Sequence, residues 1–249
     1  MNGRTSLSAI ALVLALAACG GGGNNIAGEA ANLAAPLPQI AAPNNGDWRE
    51  VVTQTENGFL MGNPQAPVRL VEYASLACPH CKDFSEQGTP ALRDNYVRSG
   101  QVSWEFRHFL LNAPDVSFTV LARCQPPAAF FRTIEQMFAQ QSEFFAAIDE
   151  AESQRIGAMP PEQQAEPLAR AMDLDTFFAR RGMPEARFSQ CLSDRANIQA
   201  VTDMTSRAAA PGPNQVTGTP TFFINDEKQD ATIGSWATLE PLLRAALGR

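Results

Sequence analysis

Residues 67–81 read PVRLVEYASLACPHC, and this stretch decides the fold. Residues 67–74 are rich in apolar side chains and open with a proline, a composition that predicts a strand. A helical stretch follows the two cysteines and ends at Ser99-Gly100, and residues 101–109 then alternate apolar and polar side chains as a second strand does. Strand, turn, helix and strand form a βαβ unit, whose crossover implies that the two strands are parallel.

The rest of the chain divides into a helical block and a short β-containing end. Residues 116–209 carry apolar side chains at helical spacing, with interruptions at prolines. Thr221-Phe222-Phe223-Ile224 predicts a strand, a turn at residues 225–227 and a strand at 231–233 complete a hairpin, and residues 238–247 predict a closing helix. The predicted fold class is therefore α/β, with a helical insertion between a βαβ half and a ββα half.

The CPHC motif at residues 78–81 places two cysteines at the start of the first predicted helix. The first backbone N–H groups of a helix lack intrahelical partners, and the helix dipole adds partial positive charge there. We expect this environment to stabilise a Cys78 thiolate and lower its pKa, with Pro79 suited to the first turn and His80 as a further stabilising group. Stabilising the thiolate stabilises the reduced, dithiol form of the pair. A Cys78–Cys81 disulfide is therefore expected to be oxidising.

Metal binding and a purely structural loop are the alternative interpretations of this motif. Zinc sites usually take four ligands, commonly from two such cysteine pairs. The chain has one CxxC and only two histidines, His80 and His108, so no zinc site is predicted. A copper-relay protein needs fewer ligands, and an envelope metallochaperone therefore stays open as a function of a different class.

A second motif, GTPTFF at residues 218–223, places a proline immediately before a strand. With the CPHC motif, it makes residues 68–247 resemble the DsbA-like branch of the thioredoxin superfamily. The resemblance implies a thioredoxin-like fold, a central mixed sheet with flanking helices. It also implies a cis Pro220 that lies against the cysteines, with the backbone of Thr219 pairing with a bound substrate chain; an ordinary trans turn is the alternative.

Glu72 lies six residues before Cys78 on the predicted strand. In thioredoxin-like proteins an acidic residue at the matching position is buried and relays a proton to the second cysteine. The resemblance therefore implies that Glu72 serves Cys81 in this way. A carboxylate that faces solvent from the strand is the alternative.

The resemblance also implies the activity, a thiol–disulfide exchange between Cys78–Cys81 and cysteines of exported proteins, without a cofactor. A membrane redox partner would reset the active-site disulfide. Threonine before the proline also occurs in isomerases of the superfamily, so isomerase and reductase stay open beside the favoured oxidant role. Isomerases of that class usually carry a dimerisation domain, which residues 24–47 are too poor in apolar side chains to build. A monomeric oxidant is therefore expected.

The five cysteines stand at positions 19, 78, 81, 124 and 191. Cys78 and Cys81 pair most naturally with each other because only two residues separate them. If Cys19 carries lipid, Cys124 and Cys191 remain, and in an oxidising compartment we expect them to form a structural disulfide. Two buried free thiols are the alternative.

The N-terminal residues predict export. Residues 1–18 combine Arg4 with a short apolar run, as a secretory signal does, and the string Leu16-Ala17-Ala18-Cys19 resembles the bacterial lipobox, whose cysteine is acylated. An ordinary signal peptide with an incidental cysteine is the alternative. Residues 19–47 are predicted to be a flexible tether and residues 48–249 the folded domain. This predicts a periplasm-facing protein of the bacterial envelope, and Gly20 after Cys19 resembles sorting to the outer membrane.

Composition excludes two classes of function. The formal net charge is -7 and the pI about 4.9, so the basic footprint of a nucleic-acid-binding protein is missing. No apolar stretch reaches the roughly 20 residues that a membrane-spanning helix needs. Contact with a membrane is therefore expected through the lipid anchor alone.

Overall fold

The computed structural model describes residues 36–249, which fold around a six-stranded mixed sheet. The strands are β1 (Val52–Gln54), β2 (Phe59–Met61), β3 (Val68–Ala74), β4 (Val102–His108), β5 (Thr221–Ile224) and β6 (Glu227–Lys228). They lie in the order β1-β2-β4-β3-β5-β6. Strands β3 and β4 are parallel and the other neighbouring pairs are antiparallel, so the predicted βαβ unit and α/β fold class are confirmed.

Ten α-helices of six or more residues accompany the sheet in residues 36–249. They are α1 (Pro79–Gln87), α2 (Ala113–Arg123), α3 (Phe130–Ala139), α4 (Gln141–Ala147), α5 (Glu150–Gly157), α6 (Ala165–Ala171), α7 (Leu174–Ala179), α8 (Glu185–Ser193), α9 (Arg195–Ala208) and α10 (Trp236–Ala246). A short helical turn, Thr89–Ala91, and a π-helical segment, Leu92–Val97, continue the path of α1. None of the helices in the described part of the chain is long and apolar enough to cross a membrane.

Helices α2–α9 form the predicted insertion between β4 and β5. Several begin at side-chain caps, in which Asn112, Asp149 and Asp194 accept hydrogen bonds from N–H groups of the first turn. The insertion starts at Ala113, three residues before the predicted position, because Asn112 caps the helix at that point. Aromatic side chains fill its interior, with Phe177 packing edge-on against Phe144.

One face of the sheet receives α1. The register places Glu72 of β3 opposite Phe106 of β4 and Phe222 of β5, so these three side chains share a face. The ring of Phe222 lies 4.8 Å from that of Phe84 on α1. Glu72 is therefore on the face of the sheet that the helix of the two cysteines covers.

The predicted hairpin after β5 closes earlier than expected. Its return strand is Glu227–Lys228, whereas residues 231–233 contain no strand. Asn225 and Asp226 both have positive φ, at 49° and 70°, which is the geometry of a two-residue turn that reverses the chain at once. The prediction of a strand at 231–233 was wrong for this reason.

The folded part begins before Trp48, the predicted domain boundary. Leu37 is buried, and the backbone N–H of Ile40 donates to the carbonyl of Ser99 at 2.8 Å. The indole of Trp48 donates to the carbonyl of Ile40 at 2.8 Å and packs over Gly100, where a Cβ would lie only 2.6 Å from the indole nitrogen. The final residues assigned to a flexible tether thus pack against the domain. The predicted signal segment and the lipidation site Cys19 lie outside the described residues.

Candidate active site

The two cysteines of the CPHC motif lie where β3 passes into α1. Cys78 is the residue before the helix and Pro79 occupies its first turn, where no N–H is needed. Both cysteines are free thiols in this structure. Cys78 is 5% exposed and Cys81 is 0% exposed, so both are buried and Cys78 is the more accessible residue.

The surroundings shift the two thiols in opposite directions. A hydrogen bond from Cys81 lowers the pKa of Cys78 to about 5, and this outweighs burial, which opposes it. The Thr219 side chain and the backbone N–H groups of Cys81 and His80 lower the pKa of Cys78 further. Burial, followed by the hydrogen bond and charge of Cys78, raises the pKa of Cys81 well above its usual range. At neutral pH the pair therefore holds one thiolate, on Cys78, and one thiol, on Cys81.

The loop before β5 lies against Cys78. The Thr219–Pro220 peptide bond is cis, and the carbonyl oxygen of Thr219 lies 3.4 Å from the Cys78 sulfur, where it accepts a hydrogen bond when Cys78 is a thiol. The Thr219 hydroxyl is buried and has no hydrogen-bond partner within residues 36–249, and its proximity lowers the pKa of both thiols. The structure thus brings together two motifs that are about 140 residues apart, as the sequence resemblance implied.

Glu72 is buried beneath the active-site helix. Its side chain accepts a hydrogen bond from the indole N–H of Trp104 at 2.9 Å. Burial raises the pKa of Glu72 to about 8, and the Trp104 hydrogen bond opposes part of that rise. The carboxyl group is therefore mostly protonated at neutral pH, and the solvent-facing alternative is wrong.

The His80 side chain does not take the predicted position beside Cys78. The imidazole is 82% exposed, with Nδ1 4.0 Å from the carboxylate of Asp83. In the described part of the chain it makes no hydrogen bond to the Cys78 sulfur, and the backbone N–H of His80 supplies the stabilisation instead. The third position of the motif carries its ring outward because its place in the first helical turn directs the side chain away from the sheet.

Two buried side chains that the sequence did not single out, Asp115 and Gln141, also contact the active-site turn. Asp115 accepts a hydrogen bond from the backbone N–H of Ala77, and Gln141 donates to the carbonyl of Cys78. Asn112 followed by Asp115 is recognisable as a helix start. That local signal carries no information about a contact with a turn almost 40 residues away.

The other two described cysteines form a disulfide within the helical insertion. Cys124 directly follows α2, Cys191 lies in α8, and their Cα atoms are 6.2 Å apart. Cys191 is buried and Cys124 half-buried, so the bridge fastens two helices whose facing sides are apolar.

A family model described as thioredoxin matches residues 54–243, well over half of the chain. The chain belongs to the thioredoxin family. Its likeness to a crystal structure of a protein-disulfide isomerase from Novosphingobium aromaticivorans has a TM-score of 0.71 at 30% identity, covering 76% of this chain and 97% of that one. For Wolbachia pipientis alpha-DsbA1 the TM-score is 0.61 at 22% identity, covering 76% and 90%, a likeness of fold. The DsbA-like resemblance of the sequence is confirmed.

Curated relatives of this thioredoxin-family chain include proteins provisionally named protein-disulfide oxidoreductases. The Rickettsia prowazekii protein is 25% identical over 176 residues, a match that covers 68% of this chain and 55% of the relative. The chain thus spans about half the length of the curated relatives it matches.

The first testable consequence is the pH dependence of Cys78. Because its pKa is about 5, alkylation of Cys78 is expected to be near its maximum at pH 7 and to fall to about a tenth of that by pH 4. Brief iodoacetamide labelling of the reduced protein across this range, mapped by mass spectrometry, measures it. Labelling of Cys81 serves as the internal comparison and should stay minor throughout; a midpoint for Cys78 near 8 would contradict the described site.

Proposed function

We propose that the protein is an envelope thiol–disulfide oxidoreductase that donates its Cys78–Cys81 disulfide to cysteines of exported proteins. The observation that carries this proposal is the opposed shift of the two thiols, with the pKa of Cys78 lowered to about 5 and that of Cys81 raised. Stabilising the Cys78 thiolate favours the dithiol over the disulfide. A disulfide with a stabilised reduced form gives up its oxidising equivalents readily.

The reaction consists of two exchanges. A thiolate of the client attacks the Cys78 sulfur of the oxidised pair, forms a mixed disulfide and releases Cys81, which takes up a proton because its own thiolate is disfavoured. A second client thiolate then attacks the client sulfur, closes the client disulfide and releases Cys78 as its stable thiolate. Two electrons pass from the client to the Cys78–Cys81 pair, and an oxidising membrane partner must remove them before the next cycle.

Thr219 and Pro220 are proposed to bind the client chain. The carbonyl of Thr219 already lies within hydrogen-bond distance of Cys78, so a client strand placed along this loop would bring its sulfur to the same atom. Pairing of an extended segment with exposed backbone groups supplies affinity without requiring a particular client sequence. This suits an enzyme that acts on many exported proteins.

The redox potential tests the proposal. The protein is equilibrated with reduced and oxidised glutathione, and the fraction with a Cys78–Cys81 disulfide is measured by trapping with an alkylating agent. A disulfide donor should have a potential above about −180 mV. A potential near that of a reducing thioredoxin, about −270 mV, would overturn the donor role and indicate a reductase.

A disulfide isomerase is the second candidate, because the solved structure at 30% identity carries that name. The two functions differ in what they do to a client with several cysteines. A donor converts the reduced client to disulfide forms faster than it corrects scrambled disulfides, whereas an isomerase does the reverse. Parallel assays on a reduced client and on the same client with scrambled disulfides separate the roles, and we expect the first assay to be the faster.

Glu72 is proposed to supply the proton that Cys81 takes up when the first exchange releases it. Glu72→Gln keeps an acceptor for Trp104 but removes the titrating group, and is expected to slow the first exchange, in which the oxidised pair forms the mixed disulfide and releases Cys81, roughly 10²-fold. Stopped-flow mixing with a thiol-containing peptide measures this step. Glu105→Gln is the matched control, since Glu105 is also buried but pairs with Val71 and so lies on the opposite face of the sheet; equal effects in both variants would contradict the role.

Glu72→Gln is also expected to change how the free energy of unfolding depends on pH. The pKa of Glu72 is about 8 in the folded protein against an ordinary value of 4.5, so the native state holds this proton more tightly than the unfolded chain does. The free energy of unfolding is therefore expected to fall as pH rises through that window. Denaturant titrations at pH 5 and pH 9 should show a smaller loss in Glu72→Gln than in the wild type.

We also propose the location and boundaries predicted from the sequence, namely a signal segment at residues 1–18, a lipid on Cys19 and a periplasm-facing domain. The lipobox-like string before Cys19 supports this assignment. Mass spectrometry of the N-terminal peptide from bacterial membranes tests it. An N-terminus without acyl groups, or an unchanged membrane fraction in Cys19→Ser, would overturn it.

A further inference from the structure

The turn that carries Cys78 is held by side chains from the helical insertion. This turn, residues 75–78, links the end of β3 to the start of α1. Asp115 in α2 accepts hydrogen bonds from the hydroxyl of Ser75 and, at 3.1 Å, from the N–H of Ala77. These bonds join segments about 40 residues apart, so the shape of the turn depends on where α2 lies.

A second side chain holds the opposite edge of the turn. The amide of Gln141, the first residue of α4, donates to the carbonyl of Leu76 at 2.8 Å and to the carbonyl of Cys78 at 3.1 Å. The Cys78 carbonyl also accepts from the N–H of Lys82 at 3.1 Å, the first hydrogen bond of α1. Gln141 thus contacts the same peptide group that starts the active-site helix.

Both side chains are buried, at 0% exposure for Asp115 and 4% for Gln141. A buried carboxylate is destabilising unless hydrogen bonds satisfy it, and the N–H of Leu111 also donates to Asp115, at 2.9 Å. Burial raises the pKa of Asp115 to about 6 despite these bonds. The ionised side chain is therefore less favourable here than in water, and a gain in stability does not account for its presence. An apolar residue would fill the space, but would leave the turn without its acceptors.

We propose that Asp115 and Gln141 are positioning residues through which the helical insertion sets the reactivity of Cys78. The proposal rests on the proposed thiol–disulfide function. It acts through backbone geometry: the N–H groups of His80 and Cys81 stabilise the Cys78 thiolate only while the first turn of α1 directs them at the sulfur. Gln141 holds the Cys78 carbonyl, which precedes these N–H groups in the chain. Asp115 holds Ser75 and Ala77, the part of the turn that leads to Cys78.

The insertion therefore does more than cover the active site. An isolated βαβ unit with the same CPHC motif would leave the carbonyl of Leu76 without the Gln141 donor, and would hold Ala77 and Cys78 by the Ser75 and Lys82 hydrogen bonds alone. We expect such a turn to sample several shapes. In the full chain, the insertion holds the turn in one shape before a client binds. Hydrogen bonds from surrounding residues keep a reactive group in its productive geometry in the same way at other sites.

Two near-isosteric substitutions test the proposal in the full chain. Gln141→Met removes the donors to the turn, and Asp115→Asn replaces one of two acceptor oxygens with an amide donor. Each is expected to raise the pKa of Cys78 by about one unit, measured by thiolate absorbance, which slows alkylation at pH 4 about tenfold. The glutathione equilibrium should move toward a less oxidising disulfide in the same variants.

Matched controls separate positioning from general loss of stability. Gln154→Met and Asp203→Asn alter exposed residues of the same insertion, in α5 and α9, and should leave the Cys78 titration unchanged. Where a buried variant fails to fold, Ser75→Ala serves in its place, since it removes the hydroxyl contacts to Asp115 and to the N–H of Ala77 and keeps both insertion side chains. A wild-type Cys78 pKa and potential in folded variants, whatever their melting temperature, would overturn the proposal.

The Cys78 titration needs no client protein, so the outcome is independent of the proposed function. If the wild type fails to oxidise reduced clients, the function is wrong, and the titrations still decide whether the insertion sets the thiolate. If the wild type oxidises clients and the buried variants titrate as the wild type does, the positioning role alone is wrong.

Discussion

Cys81→Ala is expected to accumulate mixed disulfides with client proteins, whereas Cys78→Ala is expected to lose exchange. Of the two active-site thiols, Cys78 has a lowered pKa, whereas burial raises the pKa of Cys81. Cys78→Ala cannot form the Cys78–Cys81 disulfide, and burial holds the pKa of its remaining thiol, Cys81, well above the usual range. Its initial rate should therefore fall to below about a hundredth of the wild-type rate. Without Cys81 no Cys78–Cys81 disulfide can form, but the Cys78 thiolate can still attack a disulfide of a client, releasing one client sulfur as a thiolate. No resolving thiol then frees Cys78 from the mixed disulfide.

Non-reducing gels of cells that express each variant measure this difference. Cys81→Ala should produce a ladder of adducts that disappears on reduction, and Cys78→Ala should produce none. The double variant Cys78→Ala/Cys81→Ala controls for adducts at other cysteines. It should show no adducts at Cys124 or Cys191, because these two residues are joined in a disulfide. Adducts in Cys78→Ala comparable to those in Cys81→Ala would show that the roles of the two sulfurs are reversed.

The sequence predicts the parts of this site that depend on neighbouring residues. A strand of seven residues, a CxxC and a helix start follow one another without a break, so their local signals suffice to place Cys78 at a helix N-terminus. The proline loop is about 140 residues away, and only the resemblance to a family connects it with the cysteines. The helical insertion is predictable because its apolar side chains recur at helical spacing over many turns.

The parts that the sequence did not predict depend on distant contacts or very short elements. Strands β1 and β2 have three residues each, too few for an alternating pattern to stand out, and they form because β2 pairs with β4. Gln141 reads locally as an ordinary polar residue at the start of a helix, and its contact with Cys78 exists only in the folded chain. The outward His80 ring likewise depends on the final orientation of α1.

The structural disulfide lends itself to the largest stability prediction. Cys124 and Cys191 close a loop across 67 positions of sequence separation. In the chain-entropy model such a crosslink restricts the unfolded chain enough to stabilise the fold by about 4 kcal/mol. Replacing both residues with alanine is therefore expected to lower the melting temperature by roughly 10 °C in a chain of this size.

The location of the Cys124–Cys191 disulfide indicates that its removal should leave the active site unchanged. It connects the end of α2 to α8, whereas the CPHC turn is contacted from the start of α2, at Asp115, and from α4, at Gln141. Calorimetry of Cys124→Ala/Cys191→Ala should show the lower melting temperature, while the Cys78 thiolate titration at 25 °C stays at its wild-type midpoint. Cys78→Ala/Cys81→Ala, which keeps the bridge, is the control for removing two buried cysteines. A melting temperature unchanged from the wild type would mean that the bridge does not restrain the unfolded chain, and a displaced Cys78 midpoint would mean that the bridge controls the position of α2 at the active site.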